Sequence, residues 1–281
     1  MTDINAQEWR QNQAAWQPRL VRLDQAAQVP DEFKLVQTAQ EFNLLAQPQP
    51  TLCYMPFQLS ALGQSYIEQL QPDEFKTAFA ITNLKVRAGL TGARSHFAYR
   101  KDVWVNPTAA NGIDKPRMES ILTPYLPDRP GRTELITDLA GLVEQVETRL
   151  GCVEHFRLLA TKPWMPPPRN FAPHEDLIGD DSKPRLILLG TFAHPGALVC
   201  PTSASEPLCS REQIGGIDSV RHAKLDAYEQ IYQLPAWHVG GWRSNSPAFK
   251  GQALAHATPP VTGSFRPHFI MQVRPNWLRP A

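Results

Sequence analysis

Three side chains in this sequence have the chemistry and spacing to hold one metal ion. In the segment APHEDL, His174 and Asp176 stand two residues apart. Alternate residues of an extended strand project from the same face, so an imidazole and a carboxylate at this spacing can close on a single ion. An H-x-D pair alone is weak evidence, because a polar turn ahead of a strand reads the same way. A second imidazole, His256 in LAHAT, lies ten residues before Arg266. Two histidines and one carboxylate on a common face leave three coordination positions open, the arrangement that suits non-haem Fe(II). Arg266 can grip a carboxylate bidentately. Arg185, eleven residues after His174, is a second cationic candidate.

These residues need strands to present them, and the second half of the chain supplies strand signals. CVEHFRLLAT (152–161) is a strand candidate with a proline stop, and RLILLGTF (185–192) is a short apolar run typical of a buried strand. GQALAHAT (251–258) and RPHFIMQV (266–273) read as the last two strands, joined by a Pro-Pro and Gly turn. A helix is expected at about 219–234. The first half has helical character at 3–17, 31–46 and 58–71, with an alternating strand at 77–88. Residues 132–150 form the clearest amphipathic helix, with Leu135, Leu139, Leu142, Val143, Val146 and Leu150 at helical spacing, and it should pack on the outside of a sheet. Short strands with turn signals imply a double-sheet β-sandwich or barrel, of which the jelly roll is one form. The expected organisation is a single domain over 1–281. A mostly helical region at 1–130 would pack on a mainly β core at 150–275, interrupted by an insertion at about 193–250.

Composition removes several classes. The 28 basic and 27 acidic residues leave a formal charge of +1 with no basic run, which argues against nucleic acid and acidic membranes as partners. No stretch reaches the roughly 18–20 apolar residues of a membrane span. The start, MTDINAQEWRQNQ, has neither the basic beginning nor the apolar middle of a signal peptide, so a cytoplasmic location is expected. The four cysteines include no C-x-x-C pair; Cys53 and Cys152 read as small core residues. The 27 prolines cluster in short connections, which suits many turns better than a helix bundle. Oligomeric state is open.

The ordering VEHFRLLATKPWM, APHEDL, RLILLGT and LAHATPPVTGSFRPHFIMQV resembles the double-stranded β-helix core of Fe(II)/2-oxoglutarate dioxygenases, over roughly residues 150–275. Within that superfamily it is most similar to the aspartyl/asparaginyl-hydroxylase-like branch, which includes free-proline hydroxylases. The resemblance implies Fe(II), 2-oxoglutarate and O₂ as cofactor and co-substrates, with His174, Asp176 and His256 as iron ligands. It implies that Arg266 binds the distal carboxylate of 2-oxoglutarate, and that Arg185 contacts co-substrate or substrate. Related halogenases replace the metal carboxylate by a small residue, so Asp176 favours hydroxylation or another oxidation such as desaturation, and the resemblance points to an amino acid, a peptidyl side chain or a small carboxylate-bearing metabolite as substrate. The stretch of more than sixty residues between RLILLGT and His256 departs from compact members of the branch.

That insertion keeps His238, in AWHVGGW, as a rival third ligand. Trp237, His238, Trp242 and Arg243 are candidates for the substrate pocket, each with core or surface placement as the plainer alternative. Phe249, His194, Arg94 and His96 are weaker candidates at a pocket edge. Glu175 should point away from the metal, and His268 should face away from Phe269 across its strand. Two histidines and an aspartate also bind Zn²⁺, so a zinc hydrolase or a cupin-type metalloenzyme stays open, although H-E-x-x-H is absent. So does a non-catalytic barrel that binds a small molecule. A serine or cysteine hydrolase lacks its G-x-S-x-G or an activated thiol.

Overall fold

The computed structural model describes residues 19–71, 101–105, 108–109, 112–113, 115–161, 174–176, 184–201, 210–214, 217–221, 229–244, 249, 252–257 and 266–278. The helix expected at 3–17, the strand expected at 77–88, and Arg94, His96, Cys209 and His222 lie outside them. For His174, Asp176 and Arg266 the description is of the backbone.

In chain order, β1 (Leu20–Arg22), β2 (Phe33–Leu35) and β3 (Leu52–Pro56) lead to α1 (Ala61–Glu68). Then come β4 (Lys101–Val105), the small β5 (Thr108–Ala109) and β6 (Gly112–Ile113) hairpin, α2 (Lys115–Leu122) and α3 (Arg132–Arg149). The second half holds β7 (Gly151–Thr161), β8 (His174–Asp176), β9 (Leu186–Thr191), β10 (Leu198–Cys200), β11 (Ser210–Ile214) and β12 (Ile217–Arg221). It ends with β13 (Ile231–Gln233), β14 (His238–Arg243), β15 (Ala255–Ala257) and β16 (Arg266–Pro275).

The strands form two seven-stranded sheets, ordered β1-β13-β10-β15-β8-β12-β11 and β2-β3-β14-β9-β16-β7-β4. At their centre, β8-β15-β10-β13 faces β7-β16-β9-β14, and every pairing inside each four is antiparallel. From β7 onward the chain alternates between the sheets, except where the β11–β12 hairpin intervenes between β10 and β13. That winding is a double-stranded β-helix, or jelly roll. The fold class expected from sequence is therefore the one observed.

Strand alternation separates two cores. Ile187, Trp242, Tyr54, Leu52, Val199, Tyr232, Leu234 and Leu254 fill the space between the sheets, with Leu189 and Ile270 packed against them. The other face of the β16 sheet, carrying Leu186, Leu188, Phe269, Met271 and Val273, packs on the helices. α3 buries Leu135, Leu139, Leu142, Val143 and Val146 there, as its apolar spacing requires. Asp138 of α3 accepts hydrogen bonds from Ser60 N and Oγ at 2.8 Å each, which ties the capped start of α1 to α3. Gly190 lies directly opposite Phe269, whose ring occupies the space a Cβ would need.

Two expectations are overturned. The helix expected at 31–46 is the parallel strand β2 followed by a 3₁₀ stretch at Ala39–Ala46. The helix expected at 219–234 is replaced at both ends by strands, β12 pairing with β8 and β11, and β13 with β10 and β1. Val220, Ile231 and Tyr232 favour strand geometry, and ladder pairing sets the conformation of these described segments. Among the described residues before 130, β1, β2, β3 and β4 extend both sheets. No helix among the described residues is long and apolar enough to cross a membrane.

Candidate metal centre

The register of the first sheet brings the metal-ligand candidates together at backbone level. His256 on β15 pairs directly with His174 on β8, and Asp176 follows two residues later on that strand. Cross-strand partners share a face, and so do residues two apart, so positions 174, 176 and 256 fall on one face. That face is the inner one. His256 also pairs with Val199 of the inter-sheet core, whereas its neighbours Ala255 and Ala257 belong to the opposite, outer cluster. The same row continues to position 221 of β12, opposite 174, and Ser219 stands opposite Asp176. Arg221 and Ser219 escaped the sequence reading because it placed them on a helix.

His256 is 7% exposed, with Nδ1 3.2 Å from the carbonyl oxygen of Leu254 and its ring 4.7 Å from that of Trp242. A proton on Nδ1 donated to that carbonyl leaves the Nε2 lone pair for a ligand bond, the arrangement typical of metal-bound imidazoles. The donor set thus fits a divalent metal. Among the described residues no three His, Cys, Asp or Glu side chains come together, and His174 and Asp176 enter only through their backbone.

The four residues expected at a substrate pocket separate. Trp242, 1% exposed, faces the inter-sheet space against His256 and is the one of the four that adjoins the centre. His238 lies four residues earlier on β14, roughly 13 Å away along the strand, on the sheet opposite His174. Its Nδ1 is 2.8 Å from the Ala236 carbonyl. Trp237 packs outside, its ring 6.0 Å from those of Phe57 and Phe192, so it is a covering residue. Arg243 is placed elsewhere. Its buried guanidinium donates to the carbonyls of Gln252 (3.1 Å), Leu45 (2.6 Å), Gln47 (2.5 Å), Pro48 (2.8 Å) and Pro50 (3.0 Å), which leaves it no donor for a substrate. Phe249, another pocket-edge candidate, is buried against Trp277.

A polar row crosses the inner face of the second sheet. Thr191 on β9 is flanked in register by His238 on β14 and His268 on β16. Position 266, two residues before His268, shares that face by alternation. At the other end of the same face, Arg185 precedes β9 and donates from Nε to Glu154, whose second oxygen lies 3.6 Å from Arg274 Nε. Glu154 is the extra residue of a β-bulge, since Gln272 pairs with His155 and Val273 with Val153. Burial pushes the His155 imidazole down from its ordinary range; Arg185 adds to this and Glu154 opposes it.

No protein-family model and no curated protein matches the chain. Among solved structures it is similar to a 2-oxoglutarate complex of the dioxygenase for auxin oxidation 1 from Arabidopsis thaliana. That likeness has 11% identity and a TM-score of 0.44, covering 91% of each chain. It is also similar to a full-length Neurospora crassa protein in complex with alpha-KG, at 11% identity and a TM-score of 0.34, covering 85% of this chain and 79% of that one. A vicilin from Solanum melongena is similar at 8% identity and a TM-score of 0.25, over 64% of this chain and 29% of that one. The strand order of this chain, rather than these distant likenesses, identifies its fold.

Proposed function

We propose that the chain is an Fe(II)- and 2-oxoglutarate-dependent oxygenase that hydroxylates an unactivated C–H bond of a small carboxylate-bearing molecule. The observation that carries the reading is the direct pairing of His256 with His174 on the inner face of a jelly roll, with Asp176 on the same face. His174, Asp176 and His256 would hold the metal, and His238, on the other sheet, is the weaker third ligand. When bound, Fe(II) would supply O₂ activation coupled to oxidative decarboxylation of 2-oxoglutarate to succinate. The chain's own tasks are then orientation and dryness. The Leu254 carbonyl and the Trp242 ring fix the plane of His256. Ile187, Val199 and Leu254 keep bulk water from the inner face. Arg266, whose position shares the face of Thr191 and His268, would bind the far carboxylate of the co-substrate.

Anaerobic addition of Fe(II) and 2-oxoglutarate should produce a weak visible charge-transfer band, and the aerobic protein should release succinate. Asp176→Ala and His256→Ala should each reduce succinate release beyond the about 10–100-fold expected for outer-shell partners. His238→Ala should leave the band in place. Tight zinc binding with no such band would sink the reading in favour of a hydrolytic centre.

A further inference from the structure

One polar group beside the metal-ligand positions is buried with nothing to bond. Trp242, on β14, is 1% exposed, and its ring lies 4.7 Å from that of His256. Its Nε1 is enclosed without a hydrogen-bond partner among the described residues. A buried indole N–H usually finds an acceptor, because the group can only donate and water no longer reaches it. Hydrocarbon surrounds this one. Trp242 shares its core with Val199, Leu234 and Leu254, and it stands between Leu52 and Ile187 in register. The Leu254 carbonyl faces Nδ1 of His256.

The level of Trp242 in the barrel says which acceptor fits. Through Ile187 it is level with Gln272 of β16, six residues from Arg266 at the start of that strand. At about 3.3 Å per residue this is roughly 20 Å. A five-carbon dicarboxylate is about 7 Å long between its outer oxygens, and two side chains of about 6–7 Å reach cover the remainder. A co-substrate held by Arg266 at its far end and by the metal at the other therefore brings its metal-side carboxylate to the level of Trp242. A carboxylate is also the better acceptor, since a hydrogen bond to an ionised oxygen is about twice as strong as one between neutral groups.

We propose that Trp242 Nε1 donates a hydrogen bond to the metal-side carboxylate of bound 2-oxoglutarate, so that co-substrate binding satisfies a donor that the chain itself does not. The inference rests on the oxygenase reading. It adds a co-substrate contact from β14, a strand that carries neither of the arginines assigned to 2-oxoglutarate from sequence.

The test follows the indole N–H resonances of the ¹⁵N-labelled, Zn(II)-loaded protein, in which co-substrate can bind without being turned over. Of the seven tryptophans, Trp242→Phe removes one indole signal and so assigns it. Trp242→Tyr serves the same purpose should the phenylalanine variant not fold. Zn(II) alone should leave the Trp242 N–H close to its position in the metal-free protein. Added 2-oxoglutarate should then move it downfield and slow its exchange with water. Trp277, whose Nε1 is likewise buried and unpartnered but which lies against Phe249 and the helix-side core, should not respond. By calorimetry, Trp242→Phe should weaken 2-oxoglutarate binding about ten-fold, the scale of one hydrogen bond to a charged group. Its Zn(II) affinity should change less than three-fold, whereas lost packing against His256 would lower both affinities together. Three results would each overturn the proposal: a Trp242 signal unmoved by 2-oxoglutarate, one that moves fully with Zn(II) alone, or a phenylalanine variant that binds 2-oxoglutarate within two-fold of the wild type. A protein that binds neither Zn(II) nor 2-oxoglutarate would remove the oxygenase reading as a whole. One that binds both with a silent indole removes only Trp242 from it.

Discussion

Replacing Arg243 by methionine should unfold the protein at a markedly lower temperature. The guanidinium is 1% exposed, burial lowers its pKa to about 10, and it remains charged at neutral pH. All five of its N–H groups end on backbone carbonyls, four of them in the 45–50 segment that leads into β3. Methionine fills much of the volume and removes every donor. The carbonyls of Gln47 and Pro48 lie beside exposed residues, so water can replace the lost bonds there. Those of Leu45 and Pro50 are donated to inside the protein and would be stranded. At about 1–3 kcal/mol for each stranded buried group, the loss comes to roughly 2–6 kcal/mol. At about 2–4 °C per kcal/mol for a chain approaching this size, the midpoint of unfolding should fall by roughly 10 °C. Differential scanning calorimetry with 2-oxoglutarate absent isolates this effect from ligand binding. Arg243→Lys should recover part of it, because three donors replace five. A methionine variant melting within about 2 °C of the wild type, below the smallest loss reckoned from the stranded carbonyls, would refute the clamp.

Two further outcomes follow from the described geometry. Gly190→Ala should displace the buried Phe269 ring and cost about 3–5 kcal/mol, the order of losing a core phenylalanine. Adding Phe269→Leu should recover stability, and an additive double-mutant cycle would contradict the contact. His155, whose pKa is lowered from 6.5, chiefly by burial, takes up its proton at lower pH in the folded than in the unfolded chain. Stability should therefore be full above about pH 6.5 and decline as pH falls through the folded pKa, a slope that His155→Gln should flatten in pH-dependent melting.

The parts of this fold that sequence reasoning reached are those whose local and tertiary signals agree. α3 has an unbroken apolar face, and β7, β9 and β16 are runs of apolar and β-branched residues bounded by Pro or Gly, so each element announces itself. The spacing of His174 and Asp176 was readable for the same reason, because alternation is a local rule. Their partnership with His256 depends on register between strands eighty residues apart, which only the resemblance supplied. β12 and β13 were misread because their own residues carry mixed preferences, while β8 and β10, which seat them in the sheet, lie far away in sequence. Arg243 was mistaken for a surface or pocket residue, since nothing in GGWRSN reveals that five carbonyls await it. The opposite placement of Arg185 and Arg266 was invisible for a related reason. Arg185 precedes β9 and Arg266 opens β16, and only the antiparallel pairing of the two strands turns that likeness into separation.

The N-terminal strands carry a consequence for how the chain is made. β1 pairs in parallel with β13 and β3 pairs with β14, so Leu20 meets Ile231 and Leu52 meets Trp242. These partners are 211 and 190 residues apart. At a synthesis rate of about 5–20 residues per second, the first strands leave the ribosome roughly 10–40 s before their partners exist. Until then β3 has β2 along one edge, while its other edge and the inner faces of Leu52 and Tyr54 lack their partners from the second half of the chain. Closing β1 onto β13 and β3 onto β14 therefore waits for the second half of the chain, and the nascent polypeptide must be kept from other company until then.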